Sequence, residues 1–266
     1  MHFNWNFSAG QVLWTLNFAA ELVLLVVLLG RDRIRRYPWF TASVVLFTLR
    51  LLAEELLANR TESHLYQRII LALADAAVIV GLMVLVELAR RAFAGAKSSM
   101  WIVNSAGVLL VAGGVVAGLG QWPALKDLDW STTPGLLRLM QLVALKGEML
   151  SSLLAIELGL LMVLSGRRFK GGWRSHPQQI VIGLSTMGVT VLTLQQVVLA
   201  IVKTAHPHTQ EEYKRVIGFI GKLSNATSLL YVAVLLWWIV WLWLDEPGTA
   251  ETPASETAEE PQTIGQ

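Results

Sequence analysis

Seven stretches of this chain are apolar over the length a helix needs to cross a hydrocarbon layer, and no other property restricts its folding so severely. They run from Gly10 to Leu29, Pro38 to Leu57, Ile69 to Leu88, Trp101 to Gly120, Pro134 to Leu164, Pro177 to Val202 and Val216 to Leu244. A layer of about 30 Å takes about 20 helical residues. Backbone facing lipid must satisfy its own hydrogen bonds, which leaves helices or closed barrels. None of the seven alternates with period two as a barrel strand does. The expected fold is an all-α membrane protein whose residues 1–244 form a domain of seven transmembrane helices. A composition that is 54% hydrophobic and 15% charged agrees, because no single soluble domain could bury such runs.

Short-loop charge sets the orientation, since Lys and Arg are retained on the cytoplasmic side. With the N-terminus outside, the cytoplasm receives eleven of them: Arg31, Arg33, Arg35, Arg36, Arg90, Arg91, Lys97, Arg167, Arg168, Lys170 and Arg174. The outside receives six: Arg60, Arg68, Lys126, Lys203, Lys214 and Arg215. The first ten residues hold no Lys or Arg, so they lack the basic start of a signal peptide, and Met1 is expected to remain outside. Trp14, Trp39, Trp101, Trp122 and the cluster Trp237, Trp238, Trp241, Trp243 fall near helix ends, where an indole suits the headgroup zone.

Residues 245–266 carry six acids, no Lys or Arg, and few residues that could pack, so they are expected to form a disordered acidic cytoplasmic tail. The remainder holds 21 Lys and Arg against 13 acids, a basic excess that the loops explain without nucleic acid as a partner. There is no Cys, so disulfides, thiolate catalysis and Cys-based metal sites are excluded. Zinc-protease, nucleophile-elbow and phosphate-loop signatures are absent too. The His residues 2, 64, 176, 206 and 208 all fall in expected loops or termini, leaving no intramembrane His pair for haem or zinc. No cofactor is implied, and the chain leans away from being an enzyme: carboxylates could do acid–base work, but no nucleophile or metal set accompanies them.

An internal match suggests duplication. Residues 21–31 and 157–167 share eight identities out of eleven, each copy opening on Glu and closing on Gly-Arg. A basic loop and a helix-opening proline follow both, Pro38 and Pro177. The polar pairs Glu54-Glu55 and Gln195-Gln196, then Asp75 and Asn225, extend the correspondence. Repeats 10–92 and 134–244 joined by a linker helix 101–120 would be parallel, because an odd linker preserves orientation. Within the linker, Gly114 and Gly118 are spaced for close helix approach.

Counting depth along alternating helices places Arg50, Glu54, Glu55, Asp75, Lys146, Glu148, Gln195, Gln196, Lys222 and Asn225 in the outer half, with Glu21 and Glu157 near the midplane. Runs such as Leu22 to Leu29, Val78 to Val86 and Leu229 to Val240 leave the inner half with little beyond Tyr231 to hold an ion. The expectation is an outward-open pocket with an apolar floor, built from Glu21, Glu157, Asp75, Asn225, Arg50, Glu54, Glu148, Lys146 and Lys222. An ionisable group at membrane depth is costly, and its default reading is functional. Arg50, Lys146 and Lys222 cannot neutralise six acids, so either some acids carry protons or a cation completes the balance. The competing structural reading is snorkelling and pairing for the outer residues, and a protonated Glu21 bonded to a neighbour such as Asn17. Glu87, beside Arg90 and Arg91, reads as interfacial.

The run Arg35-Arg36-Tyr37-Pro38-Trp39-Phe40, with Glu21 and Gly30 before it, resembles a group of bacterial multi-pass proteins in which an Arg-Tyr/Phe-Pro-x-Phe entrance follows a basic loop. The resemblance covers about the first 95 residues and implies seven helices and the bacterial inner membrane, the plasma membrane of such a cell, but no activity. The topology is also similar to that of three-plus-one-plus-three sugar transporters and heptahelical sensors, although Pro177-Gln178 is not where the former would carry its Pro-Gln signature. Two functions fit. One is a sensory or accessory module for a small polar ligand or cation, signalling to a cytoplasmic protein partner or through a homo-oligomer. The other is a secondary transporter that exchanges a proton for a small solute. The absence of a polar inner exit favours the first.

Overall fold

A computed structural model describes residues 8–57, 63–92, 107, 111–116, 118, 132–165, 175–205 and 209–245. Its described residues form α1 (Ala9–Gly30), a short α2 (Arg33–Arg36), α3 (Pro38–Leu57), α4 (Ser63–Ala92), α5 (Thr133–Ser165), α6 (His176–Thr204) and α7 (Gln210–Trp243), with no strand among them. Six of the seven apolar stretches thus appear as long helices, and α3 has the expected bounds. Residues 111–116 of the proposed linker helix are helical. The rest of Trp101–Gly120, like most of the tail, lies outside the described residues.

Five helices are long and apolar enough to cross a membrane: Ala9–Gly30, His64–Ala92, Thr133–Leu164, His176–Thr204 and Gln210–Trp243. The 20-residue α3 has the length, but Arg50, Glu54 and Glu55 crowd its second half. Large apolar side chains such as Val26, Leu29, Leu164, Val202 and Val240 point away from the bundle, more than half exposed. In water such a surface would aggregate; in lipid it is the solvated one.

Local sequence accounts for the helix ends. Ser8 and Gln11 form a reciprocal capping box at the start of α1, and Thr209 and Glu212 repeat it at the start of α7. After α1 the chain turns through Asp32 at φ 51°, a left-handed conformation that Asp tolerates better than most residues. Pro38 opens α3, where a missing N–H costs nothing, and Tyr37 before it is held out of the helical region.

The long helices close a ring in the order α1, α3, α4, α5, α6, α7 and back to α1. Arg68 near the start of α4 donates to Thr133 at the start of α5, 3.0 Å away, so these neighbours run in the same direction. At the other end the α7 terminus meets the α1–α2 turn, with Asp245 3.5 Å from Arg31 and 3.6 Å from Arg33. Small residues let helices approach closely: a Cβ at Gly188 would stand 2.8 Å from the Ser152 carbonyl oxygen, and one at Gly183 would collide with the Trp238 indole.

Packing is lopsided along the bundle axis. The fully buried apolar core, including Leu24, Leu28, Phe40, Leu88, Ile180 and Leu235, lies towards the end where α1, α4, α5 and α7 finish. At the opposite end α7 is exposed from Thr209 through Arg215. With 34 residues, α7 is about 50 Å long and exceeds a hydrocarbon layer of about 30 Å.

Candidate functional site

At the loosely packed end, four of the polar residues singled out by depth come together from three helices. Arg50 donates through Nε to Glu54 Oε1 at 2.9 Å, the i,i+4 pair that their spacing on α3 predicts. The same guanidinium acts electrostatically on Glu148 of α5. Gln195 of α6 donates through Nε2 to the other end of this cluster, reaching Glu148 Oε2 at 3.2 Å. The side chains of Arg50 and Glu54 are about one-third exposed, so a ligand can reach them without unfolding the bundle. An ion pair of that exposure contributes little to stability, of order 0.5 kcal/mol. A hydrogen-bonded array carrying both charge signs and amide groups suits a small polar or charged ligand.

Of the other expected members, Lys222, Asp75, Glu157 and Asn225 make no described contact with this cluster. Lys146 is buried on α5. Lys222 is exposed on α7 and Glu55 is exposed on α3, and neither has a partner among the described residues. Asp75 Oδ1 and Glu157 Oε2 are sealed from solvent, and neither accepts a hydrogen bond. Asn225 is half-buried and makes no side-chain hydrogen bond among the described residues. Glu21 and Glu157 are not joined by any described contact, and Glu21 is buried whereas Glu157 is half-buried.

Glu21 is completely buried where α1, α3 and α7 meet. Tyr231 of α7 donates its hydroxyl to Glu21 Oε1 at 2.9 Å. Thr48 of α3 lies against the same carboxyl, but its own hydroxyl proton goes to the Val44 carbonyl at 2.9 Å. Asn17, one turn before Glu21, is also buried, yet its Oδ1 accepts nothing. The expected bond from Glu21 to Asn17 is therefore not formed.

The end that holds the apolar core carries more buried polar groups than the sequence suggests. Glu87 is buried on α4, and its Oε2 accepts from the Phe40 N–H of α3 at 3.2 Å, capping that helix from outside it. Arg91 holds Glu87 Oε1 at 3.7 Å and lies over the buried Tyr37 ring, 4.8 Å from its centre. The Arg-Tyr-Pro-Trp-Phe run is thus a docking element, with Tyr37 and Phe40 buried and Trp39 exposed. His176 was expected in a loop. It begins α6 instead, is buried, and lies with Nε2 3.0 Å from the Leu244 carbonyl that ends α7. Gln178 and Gln179 are buried beside it in sequence. The tryptophan cluster also divides: Trp238 packs inward, edge-on to Phe40 at 5.1 Å between ring centres, while Trp237 and Trp243 face outward.

Spacing could have pointed to the Glu87–Arg91 pair, whereas the Phe40 contact spans 47 residues and carries no local signature. No group of three or more His, Asp or Glu suited to a metal occurs among the described residues. No protein-family model, curated protein or solved structure matches the chain.

Proposed function

We propose that this chain is a seven-span protein of the bacterial inner membrane, N-terminus outside and C-terminus in the cytoplasm, and that it serves as a sensory or accessory module binding a small polar ligand or cation from outside. One observation carries the reading: the Arg50–Glu54–Glu148–Gln195 cluster joins three helices at the loosely packed end, while the apolar core closes the other. A ligand bridging α3, α5 and α6 would change their spacing, and the basic segments at the far end would carry that change to a partner.

Several features support the topology. Because α4 and α5 begin at the same end, the chain must return between Ala92 and Thr133, and the apolar stretch Trp101 to Gly120 has the length for a crossing. The basic residues of the α1–α2 turn and the end of α4 share the core end, consistent with a cytoplasmic face there. The packing order around the ring is also what two parallel three-helix repeats would produce, with α1, α3 and α4 followed by α5, α6 and α7.

A proton-coupled transporter is the second reading, favoured by the buried Glu87, His176, Gln178 and Gln179 at the inner end, which could serve an inner exit. Purified protein screened by thermal shift against small amines, amino acids and carboxylates tests the first reading. A stabilising ligand should lose its effect in Glu148→Gln or Arg50→Gln. Uptake of that ligand into proteoliposomes, driven by a proton gradient, would replace the sensor with the transporter. No stabilising ligand, or one indifferent to both variants, would remove the binding role from the cluster.

A further inference from the structure

Glu21 presents a separate problem in charge. Its carboxyl is fully buried, and no Lys or Arg lies within ion-pair distance of it among the described residues. Tyr231 satisfies Oε1, but Oε2 accepts nothing. One helical turn away, Asn17 Oδ1 is a second sealed acceptor without a donor. Residues four apart on a helix lie on one face, so α1 carries both sealed acceptors on the same side. The Thr48 hydroxyl, its proton committed to Val44, adds a lone pair to the same junction. Turning the Asn17 amide over would supply a donor to Glu21 but would leave the carboxylate charge uncompensated. A buried charge without a counter-charge is the costliest of these outcomes.

We propose that Asn17, Glu21, Thr48 and Tyr231 form a binding site for one sodium ion at the junction of α1, α3 and α7. Amide, carboxylate and hydroxyl oxygens are hard donors, suited to alkali and alkaline-earth cations and not to transition metals. A single carboxylate balances one positive charge, so a divalent ion would leave a buried excess. Ordered water completes the coordination. The site is distinct from the Arg50 cluster, and either assignment can fail while the other stands.

Thermal unfolding of the full chain in detergent, in sodium chloride against N-methylglucamine chloride at equal ionic strength, tests the proposal. Sodium should raise the midpoint saturably, by about 3 °C at tenfold excess over its dissociation constant. Glu21→Gln and Asn17→Leu should abolish the increment, and Tyr231→Phe should weaken it while leaving the site in place. Infrared spectroscopy supplies a second readout should a variant fail to fold: addition of sodium to the parent should leave the Glu21 carboxylate ionised. A midpoint indifferent to sodium, or a protonated carboxyl band from Glu21 that sodium does not remove, overturns the proposal in favour of a bound proton. An increment that survives in Glu21→Gln would place the ion elsewhere.

Discussion

The hydroxyl of Tyr231 reaches Glu21 Oε1 across 2.9 Å and ties α7 to α1, helices whose contacting residues are 210 positions apart. This bond lies beside the apolar core, against which Tyr231 packs. It gives the buried acid its one donor among the described residues.

Removing that donor while keeping the ring should expose its contribution. Tyr231→Phe is expected to lower stability by about 1 kcal/mol, because interhelical hydrogen bonds in membranes are modest and a buried acceptor is left unmet. Glu21→Gln should retain the Tyr231 contact and remain folded, since a neutral amide accepts as well. Thermal unfolding in detergent measures both, and a Gln variant that fails to fold would show that the charge itself holds the junction together.

Two glycine substitutions should move stability in opposite directions. At Gly188 the new methyl would meet the Ser152 backbone oxygen at 2.8 Å, forcing α5 and α6 apart. Gly188→Ala is expected to cost about 2 kcal/mol. At Gly81 nothing lies within 4 Å, and Ala should stabilise α4 by about 0.5 kcal/mol through helix propensity alone. Paired denaturation midpoints decide the matter; equal effects would contradict the close α5–α6 approach.

Glu87 should behave as a cap and not as a surface acid. Glu87→Ala is expected to cost about 2 kcal/mol, by leaving the Phe40 N–H without its partner. Glu87→Gln keeps an acceptor oxygen and should lose about half as much. If the two variants are equally stable, the bond to Phe40 contributes nothing.

Reporter fusions address the topology. Those placed after Arg36, Lys97, Lys170 and Asp245 should report cytoplasm, and those after Arg60, Lys126 and His208 the outside, as the loop charges require. A reversal at Lys97 or Lys126 would remove the crossing between α4 and α5.

Hydrophobic length and proline position made the helices legible, because both are set by local composition: α3 begins at Pro38 and ends at Leu57 as its apolar run does. The Arg50–Glu54 pair was equally local, following from a spacing of four on one helix. Depth counting grouped Glu148 and Gln195 at one expected level, but only the packing of α5 on α6 made them partners. It also included Lys222, which the rotation of α7 turns outward, since a helix with weak amphipathicity does not declare which face it buries. The bonds of Glu21 to Tyr231, Glu87 to Phe40 and His176 to Leu244 were invisible for one reason: each joins side chain or backbone across at least 47 residues. The sequence by itself determined that the chain would be helical and lipid-facing, through local hydrophobicity and backbone hydrogen bonding. Tertiary structure alone decided which polar groups meet, because that depends on helix rotation and ring order, which side-chain packing sets across the whole chain.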